Sequence, residues 1–291
     1  MQYDAIIEQA LERSLEGGRS GPQAPPILAE ALRYSVFPGG ARVRPQLCFA
    51  VAHAHGAEPR PGPVAGAGVA IELMHCASLV HDDLPCFDNA ELRRGKPSVH
   101  KTFGEEIAVL AGDGLILLAM AALMRECADD PVVAMKLHEI VIDAVAPPTG
   151  IIAGQAWESE PQIDLRAYHR SKTGALFVAA VKAGAVCAGD EPAAWAAVGE
   201  RLGEAYQTAD DLLDVMRQER ASGKPGGQDL ANGRPNAART LGVQGAMDHL
   251  NALIDDAAEA IPPCEGADKL RQLVRAQAMR LAPERLVGNA S

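Results

Sequence analysis

The stretch from Pro63 to Asp82 reads PVAGAGVAIELMHCASLVHD. It is apolar or small nearly all round, with no breaker for twenty residues, and such a run predicts a central helix buried on every face. Glu72 and His75 interrupt it, as Asp113 and Lys182 interrupt the other long apolar runs, so none is read as a membrane span. Outward from it the same period recurs. Leu28-Leu32-Val36, Leu115-Leu118-Ala122, Ala175-Ala179-Ala183 and Leu202-Ala205-Ala209-Leu213 all fall at helical spacing. Alternating runs rich in Val, Ile or Thr are nearly absent. Pro/Gly clusters at 17–26, 38–40, 61–62, 147–150, 223–227 and 262–266 punctuate the helices without forming a linker. The expectation is one all-α domain over residues 1–291, a bundle of ten or more helices around a central apolar cavity.

Composition agrees. Aromatic residues are 4% of the 291 and apolar residues 48%, which favours helices over strands. With 27 Lys+Arg against 38 Asp+Glu the net charge is -11. That sign argues against a polymer of phosphates or an anionic lipid surface as partner, but not against a small anion held through a metal ion. Six cysteines are scattered with no C-x-x-C pair, which fits a reducing cytosol. Met1-Gln2-Tyr3-Asp4 lacks the basic-then-apolar order of a signal peptide, so the expected location is cytoplasmic.

Two aspartate clusters stand out against this apolar background. The first is Asp82-Asp83-Leu84-Pro85-Cys86-Phe87-Asp88, followed by Arg93-Arg94; the second is Asp210-Asp211-Leu212-Leu213-Asp214, preceded by Gln207. Asp210 and Asp214 share a helix face, where like charges repel unless a cation lies between them. Asp82 and Asp88 are about 240° apart on an ideal helix. Pro85 disfavours helix before it, so the helix should end near Asp83 and a loop should carry Asp88 back. Carboxylate clusters of this kind suit Mg²⁺, which keeps waters and takes phosphate oxygens to complete its shell. A phosphorylated substrate is therefore implied. Gly39-Gly40-Ala41-Arg42-Val43-Arg44-Pro45, Arg93-Arg94 and Lys172-Thr173-Gly174 supply cations whose forks match diphosphate oxygens.

The order of these elements (Gly39 to Pro45, Asp82 to Gly95 with His100, Gly154-Gln155, Lys172-Thr173-Gly174, and Tyr206 to Asp214) resembles the trans-polyprenyl diphosphate synthases over essentially the whole chain. Within that family the first cluster looks most like the geranylgeranyl diphosphate synthases of bacterial carotenoid pathways. The resemblance implies the isoprenoid synthase fold and a Mg²⁺-dependent head-to-tail condensation of isopentenyl diphosphate with an allylic diphosphate of C5, C10 or C15. It also implies a homodimer. Three Mg²⁺ are implied, with Mn²⁺ as a substitute. Asp82, Asp83 and Asp88 would hold two; Asp210, Asp211 and Asp214 would serve the third. Arg93, Lys172 and Lys224 would contact the allylic diphosphate, and Arg44, His75 and Arg94 the isopentenyl diphosphate. Thr173 and Gln207 would sit beside the allylic cation. The proton would leave with the departing diphosphate, so no protein base is needed.

The sequence departs from the family where a lysine is usual in the first basic run: here it is Ala41, and Arg42 is the expected substitute. Gly227-Gln228-Asp229 and Gly233-Arg234 also stand where Gly-Lys-Asp and Gly-Lys are usual. These changes imply weaker isopentenyl diphosphate binding, a rearranged basic set, or a non-catalytic subunit. Ala77 and Ser78, five and four residues before Asp82, lie about 6–7.5 Å below the metals on an ideal helix. An Ala where bacterial farnesyl-making relatives usually carry a large aromatic favours a C20 product over C15, with Met74 and Leu73 as a deeper floor.

Overall fold

The computed structural model describes residues 3–16, 25–37, 40–55, 61–222 and 236–279. The chain divides into two compact units.

The first unit comprises Met1–His53, Ala57–Asp143 and Lys182–Glu191. Its helices are α1 (Asp4–Leu15), α2 (Pro26–Val36), α3 (Val43–His53), α4 (Pro61–Asp82), α5 (Val99–Phe103), α6 (Glu105–Glu126) and most of α7 (Pro131–Val145). The helix expected from Pro63 to Asp82 is α4, and every residue from Pro63 to Met74 is buried. Burying a Leu, Ile or Val contributes about 1.5–3 kcal/mol each, which makes α4 the axis of this unit. It runs antiparallel to α6 at very close range. A Cβ added at Gly62 would lie 2.5 Å from the Glu126 carbonyl oxygen, and one at Gly112 would lie 2.1 Å from His81 Nε2.

The charge that interrupts α4 is accounted for. Glu72 is buried and accepts from Arg42 Nη1 at 2.8 Å. Removing Arg42 would take from the buried Glu72 the cation that pairs with it, at a cost of about 3–5 kcal/mol.

One feature was not legible in the chain's period. Leu92–Arg93 and Lys96–Pro97 form a two-stranded antiparallel hairpin. Its turn, Arg94-Gly95, has positive φ at both residues (53° and 78°), the I′ arrangement that matches strand twist.

The second unit comprises Ala54–Gly56, Ala144–Val181 and Pro192–Ser291. It holds α8 (Ile151–Ala156), α9 (Leu165–His169), a π-helical turn (Arg170–Gly174), the first half of α10 (Ala175–Ala188), α11 (Ala196–Ser222), α12 (Ala237–Glu259) and α13 (Ala267–Met279). Its core joins α11 to α12 through Ala205, Ala209, Leu212, Ala246, Leu250 and Leu253. Alanines at the contact let the helix axes approach closely. Asn236 caps α12 by accepting from Arg239 N at 3.0 Å.

Among the described residues three helical segments could cross a membrane by length and composition: Pro61–Asp82, Glu105–Glu126 and Leu165–Ala188. This differs from the sequence expectation that internal charges keep every run below that threshold. For α4 the burial explains its hydropathy. α6 is different, because Leu110, Leu117 and Met124 are exposed, Leu117 at 71%.

Candidate active site

In the first unit, α4 ends at Asp82 and the chain folds back, as Pro85 led one to expect. The N–H groups of Phe87 and Asn89 donate to the Leu84 carbonyl at 2.9 and 3.0 Å, and that of Ala90 to Asp83 at 3.1 Å. The N–H of Asp88 donates to the Asp82 carbonyl at 3.0 Å, which returns Asp88 to the side of Asp82. Asp82 is half-buried and Asp88 exposed.

Asp83 behaves differently from its neighbours. It is 1% exposed, and both its oxygens accept from Arg93 Nε, at 3.0 and 3.1 Å. A further bond runs from Arg93 Nη2. This clamp raises the guanidinium above its ordinary value against the opposing effect of burial. Its carboxylate is thus engaged with the arginine fork, where the sequence reading had it among the metal ligands.

Arg94 lies against the backbone of the first basic run: a Cβ at Gly40 would stand 2.6 Å from its Nη2. A side chain at 40 would displace the end of the Arg94 side chain. Burial, then the charges of Arg44, Arg94 and Arg93, push His75 well below its ordinary value, so it is a neutral imidazole among cations. Arg44, His75 and Arg94 are therefore brought together. A cavity of about 160 Å³ opens beside them, lined by Cys76, Val80, Asp83, Arg93, Arg94 and Lys96. Burial and the nearby Glu72 push the Cys76 thiol up to about 12, so it stays protonated.

Arg42 is the correction. Its Nε donates to Glu8 and its Nη1 to Glu72, both at 2.8 Å, while Nη2 donates to the Val36 carbonyl at 2.8 Å. Burial opposes its charge, but Glu8 and Glu72 hold it above the ordinary range. Its φ is 49°, and its guanidinium holds α1, α2 and α4 together. It does not stand in for the lysine missing at Ala41, which is exposed.

In the second unit, Lys172 and Thr173 sit on the π-helical turn, a geometry often found at functional sites. Gly154 of α8 packs on it so closely that a Cβ would lie 2.4 Å from the Lys172 nitrogen. Lys172 Nζ donates to Glu158 at 2.5 Å, and the same oxygen accepts from Tyr168 at 2.7 Å. Glu158 was missed in the sequence; its signal was a carboxylate three residues after Gly154-Gln155.

On α11, Gln207 and Asp211 share a face one turn apart. Thr173 Oγ1 donates to Gln207 Oε1 at 2.7 Å, and Gln207 Nε2 donates to Asp211 Oδ1 at 3.0 Å. Asp211 Oδ2 accepts from the Ala237 N–H at 2.7 Å. Asp211 is 7% exposed, while Asp210 and Asp214 face outward. Lys224, with Gln228 and Arg234, lies outside the described residues.

Among the described residues no three His, Cys, Asp or Glu side chains converge as a metal cage. The donor set still suits Mg²⁺, which is held by one or two carboxylates plus substrate phosphates rather than by a closed protein shell. Asp82 with Asp88, and Asp210 with Asp214, are carboxylates left accessible for such a role.

Known proteins resemble this chain over nearly its whole length. Residues 25–274 match the family model for polyprenyl synthetase. The chain is 49% identical over 283 residues to a geranylgeranyl diphosphate synthase of Cereibacter sphaeroides, covering 97% of this chain and 98% of the relative. It is 50% identical over 281 residues to a geranylgeranyl diphosphate synthase of Rhodobacter capsulatus, covering 97% and 96%. Among solved structures, a geranyltransferase from Legionella pneumophila superposes with a TM-score of 0.79 at 27% identity, covering 96% of this chain and 95% of that one. With the motifs in order, the helices in place and the match running nearly end to end, the chain belongs to the polyprenyl synthetase family.

Proposed function

We propose that this protein is a head-to-tail prenyl diphosphate synthase that joins isopentenyl diphosphate to an allylic diphosphate and releases geranylgeranyl diphosphate, C20. The observation that carries the reading is at one end of α4. Asp82 and Asp88 are drawn together there, beside the cations Arg44, Arg93 and Arg94 and the neutral imidazole of His75. Accessible carboxylates next to arginine forks suit a diphosphate with divalent metal.

Three Mg²⁺ are the proposed complement, with Mn²⁺ as a substitute; Asp82 and Asp88 would hold two, and Asp210, supported by Asp214, the third. When bound, the ions supply positive charge that stabilises the departing diphosphate. The chain's own residues do the rest. Arg93, Lys172 and Lys224 hold the allylic diphosphate. Arg44, Arg94 and neutral His75 hold the isopentenyl diphosphate. Thr173 and Gln207 face the allylic cation, and the apolar wall keeps out water that would quench it. The double bond of isopentenyl diphosphate attacks C1, and the proton leaves to the departing diphosphate.

The names of the two relatives near 50% identity support C20, as do the small side chains at Ala77 and Ser78. Ala77, Met74 and Leu73 are buried, and Ser78 is half-buried on the face of α4 that carries His75 and Asp82. Ala77→Tyr is expected to shorten the product to C15; C20 at the normal rate would place the floor elsewhere.

The exposed apolar residues of α6, Leu117 and Met124 among them, and of α7, Val132 and Met135, support a homodimer. The six free cysteines support a cytoplasmic location.

A second reading, a non-catalytic subunit, draws support from Ala41 and the inward Arg42. One assay separates the two. Purified protein given Mg²⁺, isopentenyl diphosphate and each primer in turn is expected to yield C20 product by mass analysis. No product from any primer would favour the subunit; product stopping at C15 would make it a farnesyl diphosphate synthase.

A further inference from the structure

The middle residue of the second cluster has a different task from its neighbours. Asp211 is buried, and each of its two carboxylate oxygens already accepts a hydrogen bond within the second unit: Oδ1 from the Gln207 amide at 3.0 Å, Oδ2 from the Ala237 N–H that opens α12 at 2.7 Å. Its backbone carbonyl accepts from Asn236 Nδ2 at 3.1 Å, so the start of α12 is fastened to it twice. From Gln207 the chain of bonds continues to Thr173, whose hydroxyl donates to Gln207 Oε1 at 2.7 Å.

The direction of this relay is what matters. A primary amide has a donor end and an acceptor end, and nothing in Gln207 itself fixes which faces Thr173. A carboxylate offers acceptors alone. Asp211 therefore draws the NH₂ of Gln207 to itself and turns the amide oxygen toward Thr173. Thr173 must then give its one proton to Gln207, which leaves its oxygen lone pairs for whatever stands on the other side. An oxygen presented that way favours a neighbouring cation. The Ala237 N–H keeps Asp211 from rotating, and it is one of the donors that a helix N-terminus leaves unsatisfied.

We infer that Asp211 is a positioning residue rather than a metal ligand: it sets the polarity of the Gln207–Thr173 pair so that the Thr173 oxygen faces the allylic cation as an acceptor. The inference rests on the prenyl-transfer reading for the identity of the cation, but the direction of the relay does not.

Asp211→Asn keeps the shape and offers one oxygen where two are needed. Either the Ala237 N–H or the Gln207 amide loses its acceptor, and Gln207 becomes free to flip. In steady-state kinetics of the full chain, kcat is expected to fall about tenfold to a hundredfold, the worth of one hydrogen bond to a charged group. The Mg²⁺ concentration for half-maximal rate and the KM of both diphosphates should stay as in the wild type. In a Thr173→Val background the same substitution should cause no further loss. A raised Mg²⁺ requirement would make Asp211 a metal ligand, and additive losses would show that it does not act through Thr173; either result overturns the inference.

A second readout does not depend on turnover. In ¹⁵N NMR of the wild-type protein the Gln207 side-chain NH₂ is expected to be slowed in exchange, and to lose that protection in Asp211→Asn. Exchange at the free-amide rate in the wild type overturns the relay. Absence of product from the wild type would instead overturn the prenyl-transfer reading, with the NMR result still deciding the relay.

Discussion

The two aspartate clusters are near repeats in sequence, yet they are built by different means. In the first, Asp82 closes α4 and Asp88 returns on a loop held by backbone hydrogen bonds. In the second, Asp210, Asp211 and Asp214 ride on an unbroken helix, where spacing alone puts the first and third on one side. The outcome is shared: the outer aspartates stay accessible and the middle one is buried against a partner from another segment. Their partners differ. Asp83 holds a cation, Arg93, at hydrogen-bond range, whereas Asp211 holds a neutral amide and a helix N–H. A motif of three carboxylates is thus two outer side chains that solvent reaches around one buried inner one.

Substitution at the outer positions is expected to have the largest effect. Asp82→Asn and Asp210→Asn are expected to lower kcat by about a hundredfold to a thousandfold each, with a raised Mg²⁺ requirement, as loss of a charge-stabilising group does. Wild-type Mg²⁺ dependence in either variant would remove that position from the metal set. Asp83→Asn should do less and do it elsewhere. With the guanidinium no longer clamped, the KM of the allylic diphosphate should rise about tenfold while the Mg²⁺ requirement holds. A shift in Mg²⁺ requirement would show Asp83 to be a ligand after all.

The smallest effect concerns His75, whose counterpart has no equivalent in the second cluster. Its pKa is depressed in the folded state, so the unfolded chain binds the extra proton first. The stability it contributes is complete above the unfolded value of about 6.5 and is lost as pH falls below that toward the folded value. One such group gives a slope of at most about 1.4 kcal/mol per pH unit. His75→Asn should flatten the urea-unfolding profile between about pH 6.5 and 5 relative to wild type, leaving the share due to His169, which burial also depresses. Parallel profiles would place His75 in a solvated setting.

Much of this was legible in the chain. The buried helix, its end near Asp83 and the return of Asp88 follow from an apolar run and one proline, because both act over neighbouring residues. The grouping of Arg44, His75 and Arg94 was implied by motif order. Arg42 shows what was not legible. Glu8 and Glu72, 34 and 30 positions away, claim its guanidinium, and no local spacing announces an ion pair made across three helices. The hairpin at 92–97 escaped because two-residue strands carry no period. Asp83 and Asp211 were indistinguishable from their neighbours by type; burial separates them, and burial is settled by the fold.

The π-helical turn at Arg170–Gly174 has a consequence for how this gene can vary. Such a turn accommodates one residue more than an α-helical turn would, without disturbing the helix that follows. Removing one residue between 170 and 174 would therefore relax the turn to the α-helical count and leave the phase of the helix that follows unchanged. Leu176, Ala179 and Ala180, all buried, would keep their places. What such a deletion would lose is the local widening that carries Lys172 and Thr173, so a one-codon deletion here should spare the fold and strike at the site.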